Sequence, residues 1–218
     1  MDLPIPNRTE AGRELAAALA AGPGGPPPLV LALPRGGVPV AAPIAERLEA
    51  PLDLMVVRKL GFPGHEEFAM GAIASGGVRI MNDAMLHRQP VSQQVIDRVA
   101  RSELAELERR ERTYRGDRPA PDLVGRPVIL VDDGLATGAT MRAAIRACRE
   151  QGATSVCVAV PVGPPDTVAQ LRGEADEVVC LATPEPFAAI GEWYRVFDQT
   201  GDDEVLQLLE SAWQREGP

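Results

Sequence analysis

One stretch limits what this chain can fold into more than any other: Val128-Ile-Leu-Val-Asp-Asp-Gly-Leu-Ala-Thr-Gly-Ala-Thr140. Val128 to Val131 is a short run without a polar residue, the pattern of a strand covered on both faces. Two adjacent carboxylates, Asp132 and Asp133, stand at its C-terminal end. Small residues from Gly134 to Thr140 then open a helix with Met141, Ala144, Ile145 and Cys148 on one face. The unpaired amides and positive dipole end of such a helix attract phosphate, and Gly138 lets the backbone come close to it. The hydroxyls of Thr137 and Thr140 can donate to the same oxygens. The two carboxylates can accept hydrogen bonds from sugar hydroxyls, directly or through a divalent cation. A phosphate held beside diol acceptors describes a phosphorylated sugar. The loop is not of the Walker type, because no lysine follows a glycine at the required spacing.

The strand–loop–helix plan recurs along the chain. Leu29 to Leu33 is another apolar run, followed by Pro34-Arg35-Gly36-Gly37 and a helix from about Val38 to Leu48. Pro39 suits its first turn, and Ala41, Ile44, Ala45 and Leu48 form its buried stripe. The paired glycines leave backbone amides free to point at an anion, and Arg35 adds a positive fork. A plain tight turn has the same composition. Leu52 to Val57 predicts a further strand that ends in Arg58-Lys59, and Lys59 is the only lysine of the chain. Ser155 to Val160 and Glu177 to Leu181, joined by a helix over roughly Pro165 to Arg172, complete a set of five. Repeated units of this length imply right-handed crossovers, so the expected fold class is α/β, a doubly wound and mainly parallel five-stranded sheet. Ligands of such sheets lie beyond the carboxyl ends of the central strands. Arg35, Arg58-Lys59 and Asp132-Asp133 all follow strand ends there, so the three motifs converge on one rim.

The remaining segments are less specific. Thr9 is a plausible N-cap for a helix to about Ala20, and Gly22 to Pro28 is a surface connector. Gly61 to Ala69 has the glycine and proline content of a mobile loop. Met70 to Ala74 and Val78 to Met81 form a hairpin around Ser75-Gly76-Gly77. A helix from about Ser92 to Tyr114 buries Ile96, Ala100, Leu104, Leu107 and Tyr114. Its outer face carries the i,i+4 pairs Asp97–Arg101, Glu106–Arg110 and Glu108–Arg112. That helix is longer than one crossover needs, which leaves room for a partner surface such as that of a homodimer. Four of the eight aromatic residues, Phe187, Trp193, Tyr194 and Phe197, fall within eleven positions. Such rings can stack on a planar heterocycle or form a small satellite core under the last helix, Asp203 to Gln214; both can hold for different rings.

The segment Asp-Asp-x-Leu-Ala-Thr-Gly-x-Thr resembles the phosphoribosyl-pyrophosphate (PRPP) motif of the type I phosphoribosyltransferases, and is most similar to the adenine- and orotate-type members. The resemblance covers roughly Leu29 to Phe197. It implies a single domain over 1–218, with a core at 29–183 and a hood built from 184–218 and the segment 1–28. It further implies transfer of the 5-phosphoribosyl group of PRPP to a nitrogenous base with release of pyrophosphate and with Mg²⁺ as cofactor. On this resemblance Leu135, Ala136, Thr137, Gly138, Ala139 and Thr140 anchor the 5′-phosphate. Asp132 and Asp133 hold the ribose hydroxyls and, through PRPP, the metal. Arg35, Gly36, Gly37 and Arg58 meet the diphosphate, and Lys59 stabilises it as it departs or gates the loop that follows. His65, Glu66 and Glu67 in that loop are candidates for proton transfer or latching, and Trp193, Tyr194 and Phe187 for stacking on the base. One departure stands out: hypoxanthine/guanine-type enzymes carry an Asp immediately before the Thr-Gly, where this chain has Ala136. The alternative the resemblance allows is a PRPP- or nucleotide-sensing regulator without turnover.

Composition narrows the classes further. A net charge of −9 over 218 residues argues against a general nucleic-acid binder. Cys148, Cys157 and Cys180 have no metal-ligand spacing and fall in apolar patterns, as core thiols of a reducing compartment do. No apolar run approaches membrane-spanning length. Asp2, Glu10 and Glu14 lie where a leader would need basic residues, so a cytoplasmic protein is expected.

Overall fold

Every residue of the strand Leu29–Ala32 is buried, as its unbroken apolar run requires, and that strand lies at the turning point of the sheet. The computed structural model describes residues 3–19 and 27–216; Ala20 and the Gly22-to-Pro26 part of the connector lie outside the described residues. In chain order the elements are α1 (Arg8–Leu19), β1 (Leu29–Ala32), α2 (Gly37–Arg47), β2 (Leu52–Leu54), β3 (Val57–Phe62), β4 (His65–Ala74), β5 (Val78–Met81), α3 (Asp83–Arg88) and α4 (Gln93–Arg115). They continue with β6 (Pro127–Val131), α5 (Ala139–Glu150), β7 (Ser155–Val162), α6 (Pro165–Leu171), β8 (Glu177–Ala182) and α7 (Asp202–Glu216).

Five strands form one parallel sheet in the order β2-β1-β6-β7-β8. One core face is covered by α1, α2, α4 and α7, the other by α5 and α6. Each fully buried Val or Leu contributes roughly 1.5–3 kcal/mol, so the apolar runs of β1, β6 and β7 supply much of what holds the layers together. The chain winds one way through β1, α2 and β2 and the other way from β6 through β8. The reversal lies between β1 and β6, and a crevice outside their C-terminal ends is where such a sheet takes ligands.

Two expectations about the strands are corrected. The run 52–57 is not one strand. It leaves the parallel sheet after Leu54, because the Val56 N–H donates to Ser75 Oγ at 2.9 Å and the Ser75 N–H to the Val56 carbonyl at 2.8 Å. From Val57 it enters a second, antiparallel sheet ordered β3-β4-β5. The stretch 61–69 is correspondingly the turn of a hairpin rather than a loop, reversing at Pro63-Gly64, where Gly64 has φ +78°. Leu60, Phe62, Met70 and Ile73 are fully buried in the main core, which gives this sheet its reason to fold.

The long helix α4 spans from this hairpin sheet to the end of β2. Arg58 on β3 bonds Glu103 at 2.7–2.8 Å, and at the far end Arg115 bonds Asp53. Glu106 pairs with Arg110, as its spacing predicts, and also with Arg109, whereas Asp97 bonds Arg79 of β5 instead of Arg101. The cap of α1 is Asn7, whose Oδ1 accepts from the Glu10 N–H at 2.9 Å, two residues earlier than Thr9. The last helix does not rest on the aromatic cluster. Val205, Leu209 and Ala212 pack into the main core and Trp213 Nε1 donates to the Leu52 carbonyl.

The aromatic cluster instead packs around Ile5. Ile5 donates to the Trp193 carbonyl and accepts from the Arg195 N–H, both at 2.7 Å, which ties the N-terminal segment to the tail. Cys148, Cys157 and Cys180 are free, and burial pushes their thiols up to about 12, 12 and 11, far from the reactive thiolate. Among the described residues no helix is long and apolar enough to cross a membrane.

Candidate active site

The site forms where β1 and β6 end side by side. The Leu135 N–H is used by the Val162 carbonyl at 2.9 Å. Beyond it the amides from Ala136 to Thr140 find no acceptor among the described residues, apart from a 3.5 Å contact of the Ala139 N–H with Thr137 Oγ1. Gly138 has φ +70°, a conformation that favours glycine, and it turns the chain into α5. Thr167 Oγ1 holds the Ala136 carbonyl at 3.0 Å. The result is a braced loop with free donors, exposed at Ala136, Thr137, Ala139 and Thr140.

The carboxylates of Asp132 and Asp133 follow β6 directly. Asp132 Oδ1 accepts from the Asp133 N–H at 2.9 Å. Asp133 Oδ2 accepts from both Nε and Nη2 of Arg8 at 2.8 Å. One oxygen of each, Asp132 Oδ2 and Asp133 Oδ1, takes no bond from any other described residue. Burial, then the charge of Asp133, pushes the Asp132 carboxyl well above the usual range. Burial also raises Asp133, against the pull of Arg8. Two neighbouring carboxylates in this state gain from any hydroxyl donor or cation that arrives between them.

Gly36 and Gly37 meet this pair across the crevice, but only one of the two expected free amides is present. The Gly37 N–H closes the turn on the Leu33 carbonyl at 3.0 Å, which leaves the Gly36 N–H without an acceptor among the described residues. A Cβ on Gly36 would run into the Asp133 carboxylate, and one on Gly37 would lie 2.6 Å from the Val131 carbonyl oxygen. Their absent side chains are thus what lets the two strand ends close up. Gly36→Ala is expected to cost about 1–3 kcal/mol by overpacking. That corresponds to a fall of roughly 2–12 °C in a thermal melt. A change within 1 °C (about a third of a kcal/mol) would mean that the carboxylate does not occupy the face of the glycine.

The other expected residues are distributed as follows. Lys59 lies on β3, exposed, and shares a cavity of about 540 Å³ with Thr137, Thr140 and Arg146, so it faces the loop 136–140 from the hairpin sheet. Arg58 does not share that free position, being held by Glu103. Arg35 turns outward, 3.6 Å from Asp202, into a pocket of about 210 Å³ that also contains Arg109, Arg110 and Tyr114. His65 sits at the tip of the β3–β4 hairpin; the side chains of Glu66 and Glu67 lie outside the described residues.

Of the aromatic candidates, Phe187 and Trp193 stack on each other with centroids 6.0 Å apart. Phe187 also lines a pocket of about 500 Å³ with Pro164, Asp166 and Glu185. Tyr194 is packing: only 6% exposed, it lies against Phe197 and donates its hydroxyl to the Asp133 carbonyl at 2.7 Å. Burial and the neighbouring Asp133 raise its phenol further.

The residue that sequence reasoning missed is Arg8. Besides Asp133 it bonds the Asp198 carbonyl at 2.7 Å through Nη1, and its guanidinium lies 3.9 Å above the Phe197 ring. The one local signal was its position. It is the first residue of α1, where the helix dipole disfavours a cation, so a partner outside the helix was to be sought.

A parallel sheet with a braced loop of free amides, a half-free carboxylate pair and a two-glycine turn at its switch point is an α/β arrangement that can take an anion beside hydroxyl donors. Comparison with known proteins makes this specific: residues 3–196 match the phosphoribosyl transferase domain model, and the chain belongs to that family. Two Mycobacterium tuberculosis proteins, named "Putative phosphoribosyl transferase MT0597" and "Putative phosphoribosyl transferase Rv0571c", are each 50% identical over 206 residues. Those matches cover 94% of this chain and 46% of theirs, so the chain spans about half the length of these curated relatives. The crystal structure of TT1426 from Thermus thermophilus is 42% identical, with a TM-score of 0.84 over 95% of this chain and 98% of that one.

Proposed function

We propose that this chain transfers the 5-phosphoribosyl group of PRPP to a nitrogenous base and releases pyrophosphate. The observation that carries the reading is the meeting of free amides at 136–140 with the half-free carboxylates of Asp132 and Asp133 at one strand end. The amides, with Thr137 and Thr140, hold the 5′-phosphate. Asp132 Oδ2 and Asp133 Oδ1 accept from the two ribose hydroxyls. The Gly36 N–H and Lys59 take the charge that grows on the diphosphate as its bond to C1 breaks. A base nitrogen forms the new bond to C1, held against the face of Phe187 or Trp193. With Ala136 before Thr137-Gly138, the proton of the base is not received at that position.

Mg²⁺ fits these residues in a limited way. No group of three or more metal-type side chains occurs among the described residues, but one or two carboxylates suffice for an ion carried mainly by phosphate and water. When bound it would neutralise the diphosphate as a leaving group. The reading places the protein in a reducing cytoplasm, in keeping with its three free thiols. The N-terminal segment and the tail, tied through Ile5, act as the hood over the core.

The test is titration of PRPP with Mg²⁺, followed by pyrophosphate release across a panel of nitrogenous bases. Saturable binding with base-dependent release is expected. Binding with no release for any base would favour the sensing regulator, and no binding would overturn both readings. Lys59→Met is expected to lower kcat/KM about a hundredfold, as loss of one donor to a developing anion does. An unchanged kcat/KM would remove Lys59 from the site.

A further inference from the structure

Arg8 is part of no phosphate loop or acid pair, yet it contacts the site more closely than Arg35 or Arg58 does. Both Nε and Nη2 converge on Asp133 Oδ2 at 2.8 Å, and the two side chains are only 12% and 13% exposed. On its other sides the guanidinium is fixed by the Asp198 carbonyl and the Phe197 ring. The same tail reaches the acid pair a second time, through the hydroxyl of Tyr194 on the Asp133 carbonyl. Ile5, three residues before Arg8, is paired with Trp193 and Arg195. The N-terminal segment, the tail and Asp133 are therefore one connected hydrogen-bonded unit.

We propose that Arg8 is a positioning residue for the sugar-binding carboxylate: by engaging Oδ2 it sets the rotamer of Asp133 and reserves Oδ1 for the ligand. This rests on the PRPP reading given above. The chemistry suits the task. A guanidinium clamps a carboxylate by two N–H groups in a plane, which a single point charge does less well. Oδ2 also lies against Gly36, so the clamp holds the carboxylate on the glycine turn that faces the diphosphate. Releasing Arg8 frees Asp133 to rotate and loosens both ends of the bound sugar diphosphate at once. Contacts to ribose hydroxyls are present in the ground state as well as in the transition state, so their weakening is read in KM rather than in kcat.

The experiment compares wild type, Arg8→Met and Arg8→Lys by PRPP calorimetry and steady-state kinetics, with a thermal melt of each. Arg8→Met is expected to raise Kd and KM for PRPP about tenfold, the effect of losing one charge-assisted contact, with kcat within about twofold. Arg8→Lys, which keeps the charge but not the fork, is expected to recover part of that loss. Unchanged KM and Kd for PRPP in Arg8→Met would overturn the proposal. So would a fall in kcat alone, which reports a smaller folded fraction. If wild type itself does not bind PRPP, the proposed function fails and this inference with it. Binding by wild type that is indifferent to Arg8 sinks the inference alone.

Discussion

Asp133→Asn is expected to weaken the binding of PRPP with Mg²⁺ by about a hundredfold or more while the protein stays folded. The amide keeps the shape of the carboxylate but loses its charge. It also places an NH₂ where the site needs an acceptor, either for a ribose hydroxyl or for Arg8. Hydrogen bonds to charged groups contribute about 1.5–3 kcal/mol each. At stake are the bond to the ligand and the two N–H contacts from Arg8 that hold the side chain in place, so the affinity should fall by about a hundredfold or more. Adding Asp132→Asn should remove what remains, because the second half-free oxygen belongs to that residue. The measurement is calorimetric titration against wild type, with a melting curve to show that the variant is folded. A titration curve that superimposes on the wild-type one would contradict the assignment of the acid pair.

Arg115→Met is expected to produce the largest loss of stability of any single substitution considered. Arg115 Nε bonds Asp53 Oδ1 at 2.6 Å, Nη2 the Leu54 carbonyl at 2.7 Å and Nη1 Glu111 at 2.9 Å. Side-chain exposure is 4% for Arg115 and 5% for Asp53. Breaking a buried pair by removing one partner typically costs about 3–5 kcal/mol, because the other charge is left buried and alone. For a chain of this size that is roughly 6–20 °C in melting temperature.

The sign of the pH dependence follows from Asp53. Its carboxyl is already raised above the ordinary value by burial, against the pull of Arg115. Without the arginine it rises further. A carboxyl whose folded-state pKa exceeds its unfolded one gains stability as pH falls through the folded value, since the native state then binds the extra proton. The deficit of Arg115→Met should therefore be smaller at about pH 5 than at neutral pH. A melting temperature within about 2 °C of wild type would show that the pair is not what fixes the end of α4 on β2.

Several parts of this molecule could be read from neighbouring residues alone. Val128 to Val131 and Leu29 to Leu33 are apolar without interruption because both faces are covered, and only a parallel sheet inside an α/β fold does that. The acid pair and the loop 134–140 lie within a dozen positions, so their meeting needed no knowledge of the rest of the chain. The stripe of α4 at Ile96, Ala100 and Leu107 is likewise a matter of spacing. The run 52–57 shows the limit of such reading. Six mostly apolar residues look the same in one sheet or shared between two, and what divides them is Ser75, nineteen positions away.

By itself, then, the sequence determined the strand–loop–helix units, the parallel sheet and the residue types that gather at its rim. Each of these is encoded in local periodicity or in adjacent residues. Tertiary structure alone decided which side chains are free at that rim. Arg58 is taken by Glu103, Arg35 turns to Asp202 and Tyr194 is buried beneath Asp133, while Arg8 reaches Asp133 from 125 positions away. The physical reason is that a long cation pairs with whichever carboxylate the packed helices bring within reach, and no repeat in the chain records that choice.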